Sequence, residues 1–146
     1  MRIAAAAAAA VLVAAAAVGV VVSQQGGEAP PAVAAAVTQV FDAPDAHTST
    51  VSTSNGGRLT VATSQDLGRM AVKTQGLPDP GSSHVYQMWA IHNGTPTSAG
   101  VIGDLRAGQA MAMPAAGTTV AITVEPSGGS EQPTTKPIVE MDPGQV

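Results

Sequence analysis

The residue types that usually carry chemistry are few in this chain. There is no cysteine, which excludes thiol nucleophiles, thiolate metal sites and disulfide bonds. The histidines are His47, His84 and His92. His84 and His92 share one face of a predicted strand but are separated by about 26 Å at the rise of a β-strand, too far to bind one metal ion. We therefore predict that the histidines are polar surface residues.

One short segment contains the residue types of a hydrolase triad. Ser82, Ser83 and His84 follow Asp79 closely. A serine hydrolase would also need a nucleophile elbow such as G-x-S-x-G and an oxyanion loop, and neither accompanies these residues. The segment therefore predicts a turn rather than an active site.

Two further patterns could suggest metal binding. Met111 and Met113 are soft ligands suited to copper(I), but Pro114 follows directly and Met88 lies on another predicted strand, so we favour ordinary core filling. The aspartates are spread over separate turns, where Asp commonly bonds the local backbone, and the spacing of a calcium loop is missing. The sequence predicts a protein that is not an enzyme and has no cofactor or metal.

The charge balance bears on possible partners. Ten acidic and six basic residues give a net charge of −4. The basic residues are scattered and form no patch that could follow a phosphate backbone. The sequence therefore predicts no binding to nucleic acid.

The N-terminus carries an uncharged apolar run of twenty residues, Ile3 to Val22. A helix of this length spans about 30 Å, the thickness of the hydrocarbon core. The run predicts a transmembrane helix or uncleaved signal anchor over residues 1–23, and a signal peptide cleaved after Ser23 is the alternative. Because Arg2 is the only basic residue before Arg58, the positive-inside rule places everything after Ser23 outside the cytoplasm.

The rest of the chain, about 120 residues, is long enough for one core. Residues 24–36 are rich in Gly, Pro and Gln at first and predict a flexible spacer. The segment 32–41 is compatible with a short helix or a strand, and we expect a strand from about Val37. Residues 37–146 predict an all-β domain, an antiparallel sandwich or barrel of about eight short strands. The other strands are expected at 48–54, 58–64, 69–75, 84–92, 96–102, 109–113, 118–125 and 137–141.

The segment 84–92 is apolar on both faces and predicts a central strand, with Trp89 packed in the core. Asn93-Gly94 directly after it indicates a type I′ hairpin turn. Asn55-Gly56-Gly57 indicates a hairpin between the first two of these strands.

Three strings of the body resemble a known family: VYQMWAI (85–91), SAGV (98–101) and VAITVEPSGGSEQPT (120–134). Together they are similar to the C-terminal extracytoplasmic domain of anti-sigma-K factors, over roughly residues 33–140. The positions that carry the resemblance, as structural or recognition residues, are Tyr86, Trp89, Gly100, Glu125, Pro126, Gly128, Gly129, Ser130, Pro133 and Thr134. The loop in the third string predicts a structural connection between the last two strands, with a recognition loop as the alternative.

The resemblance implies a single-pass protein of the cell membrane whose extracytoplasmic domain regulates a sigma factor through regulated proteolysis. Its partners would be the lipid bilayer, an envelope protease and an intramembrane protease. The sigma factor would be bound only through a cytoplasmic domain, which we expect to be absent from this chain. The alternative function is a secreted, soluble β-sandwich binding module released by signal peptidase.

Overall fold

The computed structural model of the chain describes residues 31–146. One helix, α1 (Pro31–Phe41), precedes eight strands, and a short 3-10 turn at Pro143–Gln145 ends the fold. The strands are β1 (His47–Ser52), β2 (Arg58–Ser64), β3 (Arg69–Gln75), β4 (His84–His92), β5 (Thr95–Ile102), β6 (Gln109–Ala112), β7 (Thr118–Pro126) and β8 (Val139–Met141). The eight predicted strands from residue 48 onward are confirmed, and every boundary agrees to within two residues.

The strands form two four-stranded antiparallel sheets. Sheet A has the order β1-β2-β3-β6, and sheet B has the order β5-β4-β7-β8. Apolar side chains from both sheets meet in one main core, which includes Leu59 and Val72 of sheet A and Met88 and Ile122 of sheet B. The all-β fold class is therefore confirmed, and the arrangement is a β-sandwich.

Strand β4 is central, as its apolar faces predicted. It pairs with β5 on one side and with β7 on the other. The turn between β4 and β5 has positive φ at both Asn93 (51°) and Gly94 (75°), which confirms the hairpin expected from this dipeptide. A register shift opposite Met88 and Trp89 inserts one extra residue, Ala99, into β5.

The strand expected from Val37 is wrong, because Pro31–Phe41 forms α1. Val37 and Val40 are three residues apart and therefore lie on one face of a helix. Both are buried against Ala62 and Ala71 on the outer face of sheet A. The helix also includes residues 31–36, which the sequence assigned to the flexible spacer.

The predicted membrane helix, residues 1–23, and most of the predicted spacer lie outside the described residues. Within residues 31–146, no helix has the length and apolar character required to cross a membrane.

Candidate functional site

The most unusual side chain in the described structure is a buried carboxylate on the outer face of sheet B. Glu125 lies near the end of β7 and is 0% exposed. Strand alternation places Glu125 and Thr123 on the same face of the sheet. The Thr123 hydroxyl donates a hydrogen bond to Oε1 of Glu125. Burying a carboxylate is costly unless it is fully hydrogen-bonded, so its partners must be provided by the fold.

The other partners come from the β7–β8 loop (residues 127–138). Thr134 donates its backbone N–H to Oε1 of Glu125 at 3.0 Å, and its hydroxyl donates to Oε2. All these donors are neutral. The contact closes the loop onto the sheet, because Glu125 precedes the loop while Thr134 lies within its second half.

Trp89 is joined to the same group of residues. Its indole Nε1 donates to the Thr123 hydroxyl at 2.8 Å. The ring is 0% exposed, which confirms its predicted burial. The main core, however, is lined by Tyr86 and Met88 of this strand, so alternation places Trp89 on the opposite, outer face of sheet B.

Gln87 fixes the first half of the loop. Its Oε1 accepts from the Ser130 N–H at 2.8 Å, and its Nε2 donates to the Ser130 carbonyl at 2.9 Å and to the Ser98 hydroxyl at 2.8 Å. The side-chain amide thus pairs with the backbone of Ser130 as a neighbouring strand would. We call Gln87, Trp89, Thr123, Glu125, Ser130 and Thr134 the clasp.

Glycine is required where the loop turns towards Gln87. Gly128 and Gly129 have φ of 95° and 83°. A Cβ atom on Gly129 would lie 2.8 Å from Oε1 of Gln87 and 3.0 Å from Cγ2 of Val101. The close approach and the positive φ both exclude a larger residue at this position.

The electrostatics of Glu125 result from two opposed effects. Burial raises the pKa of its carboxyl, while the hydrogen bonds from Thr123, Thr134 and Ser130 lower it. The hydrogen bonds dominate, and the pKa of Glu125 lies below its ordinary value. The carboxyl group of Glu125 is therefore ionised at neutral pH, and its oxygen atoms accept the hydrogen bonds that hold the loop on the sheet.

The structure brings together five of the ten positions that carry the family resemblance: Trp89, Glu125, Gly129, Ser130 and Thr134. Pro126 and Gly128 lie in the tight turn that leaves β7, where the Pro126 carbonyl accepts from the N–H of Gly129 at 2.9 Å. Pro133 is half-buried in the loop beside Thr134. Gly100 lies in β5 with φ of 114°, next to the side chain of Gln109.

Tyr86 lies on the opposite face of β4 from the clasp, because its side chain faces the main core. Its hydroxyl accepts from Nδ2 of Asn55 and donates to the carbonyl of Pro78, each at 2.9 Å. Burial is the main cause that raises the pKa of Tyr86.

Two clasp residues, Gln87 and Thr123, were missed by the sequence reasoning. Gln87 is the polar residue in the middle of the apolar string VYQMWAI. A polar residue at a strand position that should be buried is the signal that could have identified it.

The residues considered for other chemistry have local roles. Asp79 accepts from the N–H of Gly81 at 2.8 Å and shapes the turn before β4, and His84 is exposed at the start of that strand. Met88 is buried in the main core, and Met111 packs against the edge of this core. Residues 31–146 contain no group of three or more histidine, aspartate or glutamate side chains placed to hold a metal ion.

The fold and the clasp together define a small β-sandwich domain whose buried polar residues fix a loop on the outer face of one sheet. The chain belongs to the anti-sigma-K factor family: the family described as "Anti-sigma-K factor rskA, C-terminal" matches residues 3–138.

The chain is also similar to curated proteins, among them anti-sigma-K factors. The chain is 37% identical over 109 residues to an anti-sigma-K factor RskA of Mycobacterium sp. (strain KMS), covering 70% of this chain and 44% of the relative. It is 35% identical over 109 residues to a Streptomyces griseus protein named "Uncharacterized protein in phr 5'region", covering 73% of this chain and 46% of the relative. The aligned part thus spans a little under half the length of these relatives. No solved structure matches the chain.

Proposed function

We propose that this chain is the membrane-tethered, extracytoplasmic part of an anti-sigma factor, and that its controlled proteolysis regulates a sigma factor. The observation that carries the proposal is the continuous family match from residue 3 to residue 138. This range joins the apolar run 3–22 to nearly all of the sandwich. A tether followed directly by a folded domain is the layout expected of a membrane-bound sensor.

The role proposed for the domain is steric. A protease that acts near the membrane must reach the segment between residue 23 and the sandwich, and a folded domain limits that access. The sigma factor would be contacted on the other side of the membrane, by a cytoplasmic domain. A signal or a partner that loosens the domain would expose the segment, and cleavage within the membrane helix would follow.

The experiment that tests the tether is mass spectrometry of the native protein from separated membrane and soluble fractions. We expect a membrane species that retains residues 3–22 and whose C-terminal domain is released by protease added to intact spheroplasts. A soluble species that starts at Gln24 would contradict the tether and favour the secreted binding module.

The steric role is tested by deleting residues 42–146 in cells. We expect the remaining segment near the membrane to be cleaved without any inducing signal. A truncated chain that stays uncut would contradict the steric role. Exchange of the exposed Glu131 for glutamine, which removes none of the clasp contacts, is the folded control and should leave cleavage dependent on the signal.

A further inference from the structure

We propose that helix α1 is a releasable segment: it can leave sheet A while the sandwich stays folded, and its peptide bonds then become substrates for an endoprotease. The release is a property of the domain alone. Its role in sigma-factor regulation rests on the function proposed above.

The packing of α1 is separate from the main core. Val37 and Val40 form a small cluster with Ala62 and Ala71 on the outer face of sheet A, and Phe41 and Ala110 pack at its margin. The main core lies between the two sheets and includes none of these residues. Undocking of α1 would therefore leave the contacts between the sheets intact.

The surface under α1 is made of small side chains. The apolar positions of sheet A that pack against α1 are alanines in β2, β3 and β6. Exposing an alanine to water costs little hydrophobic free energy, because that cost scales with the apolar area exposed. A sandwich without its docked helix would thus expose a modest surface, which favours a local opening over global unfolding.

Once undocked, α1 has little to keep it helical. It has eleven residues, with no acidic residue in its first turn and no basic residue in its last turn. Isolated helices shorter than about 12 residues are marginal in water, and the three valines of α1 lower its helix propensity. The undocked segment would therefore be an extended chain.

Endoproteases need such an extended chain. They bind substrates as strands, and cleavage of a folded segment follows the population of its open form. In the docked state the Lys73 ammonium lies 4.1 Å from the centre of the Phe41 ring and adds a cation–π contact at the C-terminal end of the helix. Docking thus protects residues 31–41 from cleavage, a segment that includes the second half of the predicted spacer.

Hydrogen exchange of the full chain in lipid nanodiscs, read by mass spectrometry, tests the release. We expect the amides of residues 35–41 to exchange faster than those of β4 and β7. Val40→Ala should speed exchange in α1 by roughly tenfold, since loss of buried methyl groups weakens docking. Exchange in β4 and β7 should not change.

Two variants control this result. Gln39→Ala changes an exposed residue of the same helix and should not speed exchange in α1. Val61→Ala removes the same atoms as Val40→Ala, but from the main core, and should speed exchange in all strands. Limited digestion of the Val40→Ala chain with thermolysin should cut within residues 31–41 and leave a resistant fragment that contains β1–β8.

The proposal is overturned if α1 exchanges at the same rate as β4 and β7, or if Val40→Ala speeds all three equally, because α1 would then leave only on global unfolding. These measurements use purified chain and an added protease. The release of α1 can therefore be disproved even if the chain is found at the membrane. It can also be supported even if the chain is found to be secreted.

Discussion

Thr134 donates both its backbone N–H and its hydroxyl to the carboxylate of Glu125. The two residues are nine positions apart, and their contact fixes the β7–β8 loop on the outer face of sheet B. The carboxylate is fully buried and its hydrogen-bond partners are neutral. This arrangement makes the stability of the domain depend on one charged side chain that no cation compensates within the clasp.

Replacing Glu125 with glutamine should destabilise the domain by about 2–3 kcal/mol, because the new amide group turns a donor towards groups that already donate. The fluorescence of Trp89, the only tryptophan in the chain, reports unfolding in urea for the full chain in mild detergent. Glu131→Gln removes an exposed charge from the same loop and should leave the midpoint unchanged. Equal shifts in the two variants would show that the buried hydrogen bonds contribute nothing.

The contribution of Glu125 should depend on pH in a defined direction. Because its pKa is lower in the folded state than the ordinary value of 4.5, its stabilisation is present above that value and is lost as the pH falls through the lowered pKa. The pKa of Asp45 is also lowered, chiefly by the hydrogen bond from the Asp66 N–H, and its contribution has the same sign.

The measurement is the urea midpoint of the native chain and of Glu125→Gln, from neutral pH down to about pH 3. We expect the difference between the two midpoints to narrow as the pH falls, while Asp45 leaves a residual slope in the variant. A difference that stays constant or widens would mean that the folded-state pKa of Glu125 is not lowered.

Gly129→Ala should destabilise the domain more than Gly81→Ala. Both glycines have φ close to 80°, so both variants incur backbone strain of about 1–2 kcal/mol. Only at Gly129 does the new Cβ meet other atoms, those of Gln87 and Val101, and overpacking of this kind costs about 1–3 kcal/mol more. Urea unfolding of the two variants measures the difference, and equal losses would show that the loop moves away from Gln87 at no cost.

Thr123→Val should cost about 2–4 kcal/mol, because it removes the hydroxyl that joins Trp89 to Glu125 and leaves a donor and an acceptor unpaired in a buried site. Thr119→Val, a half-buried change on the same face of β7, is the matched control. Circular dichroism should be used to follow unfolding, since Trp89 itself loses a partner. If Thr123→Val and Thr119→Val lose the same amount of stability, the hydrogen bonds of the Thr123 hydroxyl contribute nothing to the free energy of unfolding.

Local patterns predicted most of the strands because the relevant signals lie next to each other in sequence. Asn93-Gly94 specified its hairpin through the positive φ values of the turn, and the apolar faces of 84–92 identified the central strand. The clasp could be predicted only in part. Glu125 and Thr134 belong to the family strings, but Gln87 contacts Ser130 across 43 positions, a pairing that no local pattern encodes.

The strand expected from Val37 failed for a related reason. Alanine and valine in this segment are compatible with either structure, and the deciding contact is with Ala62 and Ala71, which lie far along the chain. Helix α1 is stabilised because its valines pack on an apolar patch of sheet A that includes these alanines. A segment of weak intrinsic preference takes the structure that buries it.

Residue types and short spacings were sufficient to predict the strand periodicity, the turns and the scarcity of residues suited to catalysis or metal binding. Long-range packing was needed to establish that α1 is a helix, that Trp89 lies outside the main core, and that Glu125 is a buried anion. These features depend on which distant segments pack together and exclude water. Burial against sheet A decides that an ambiguous segment becomes a helix, and burial of a carboxylate requires hydrogen-bond donors around it.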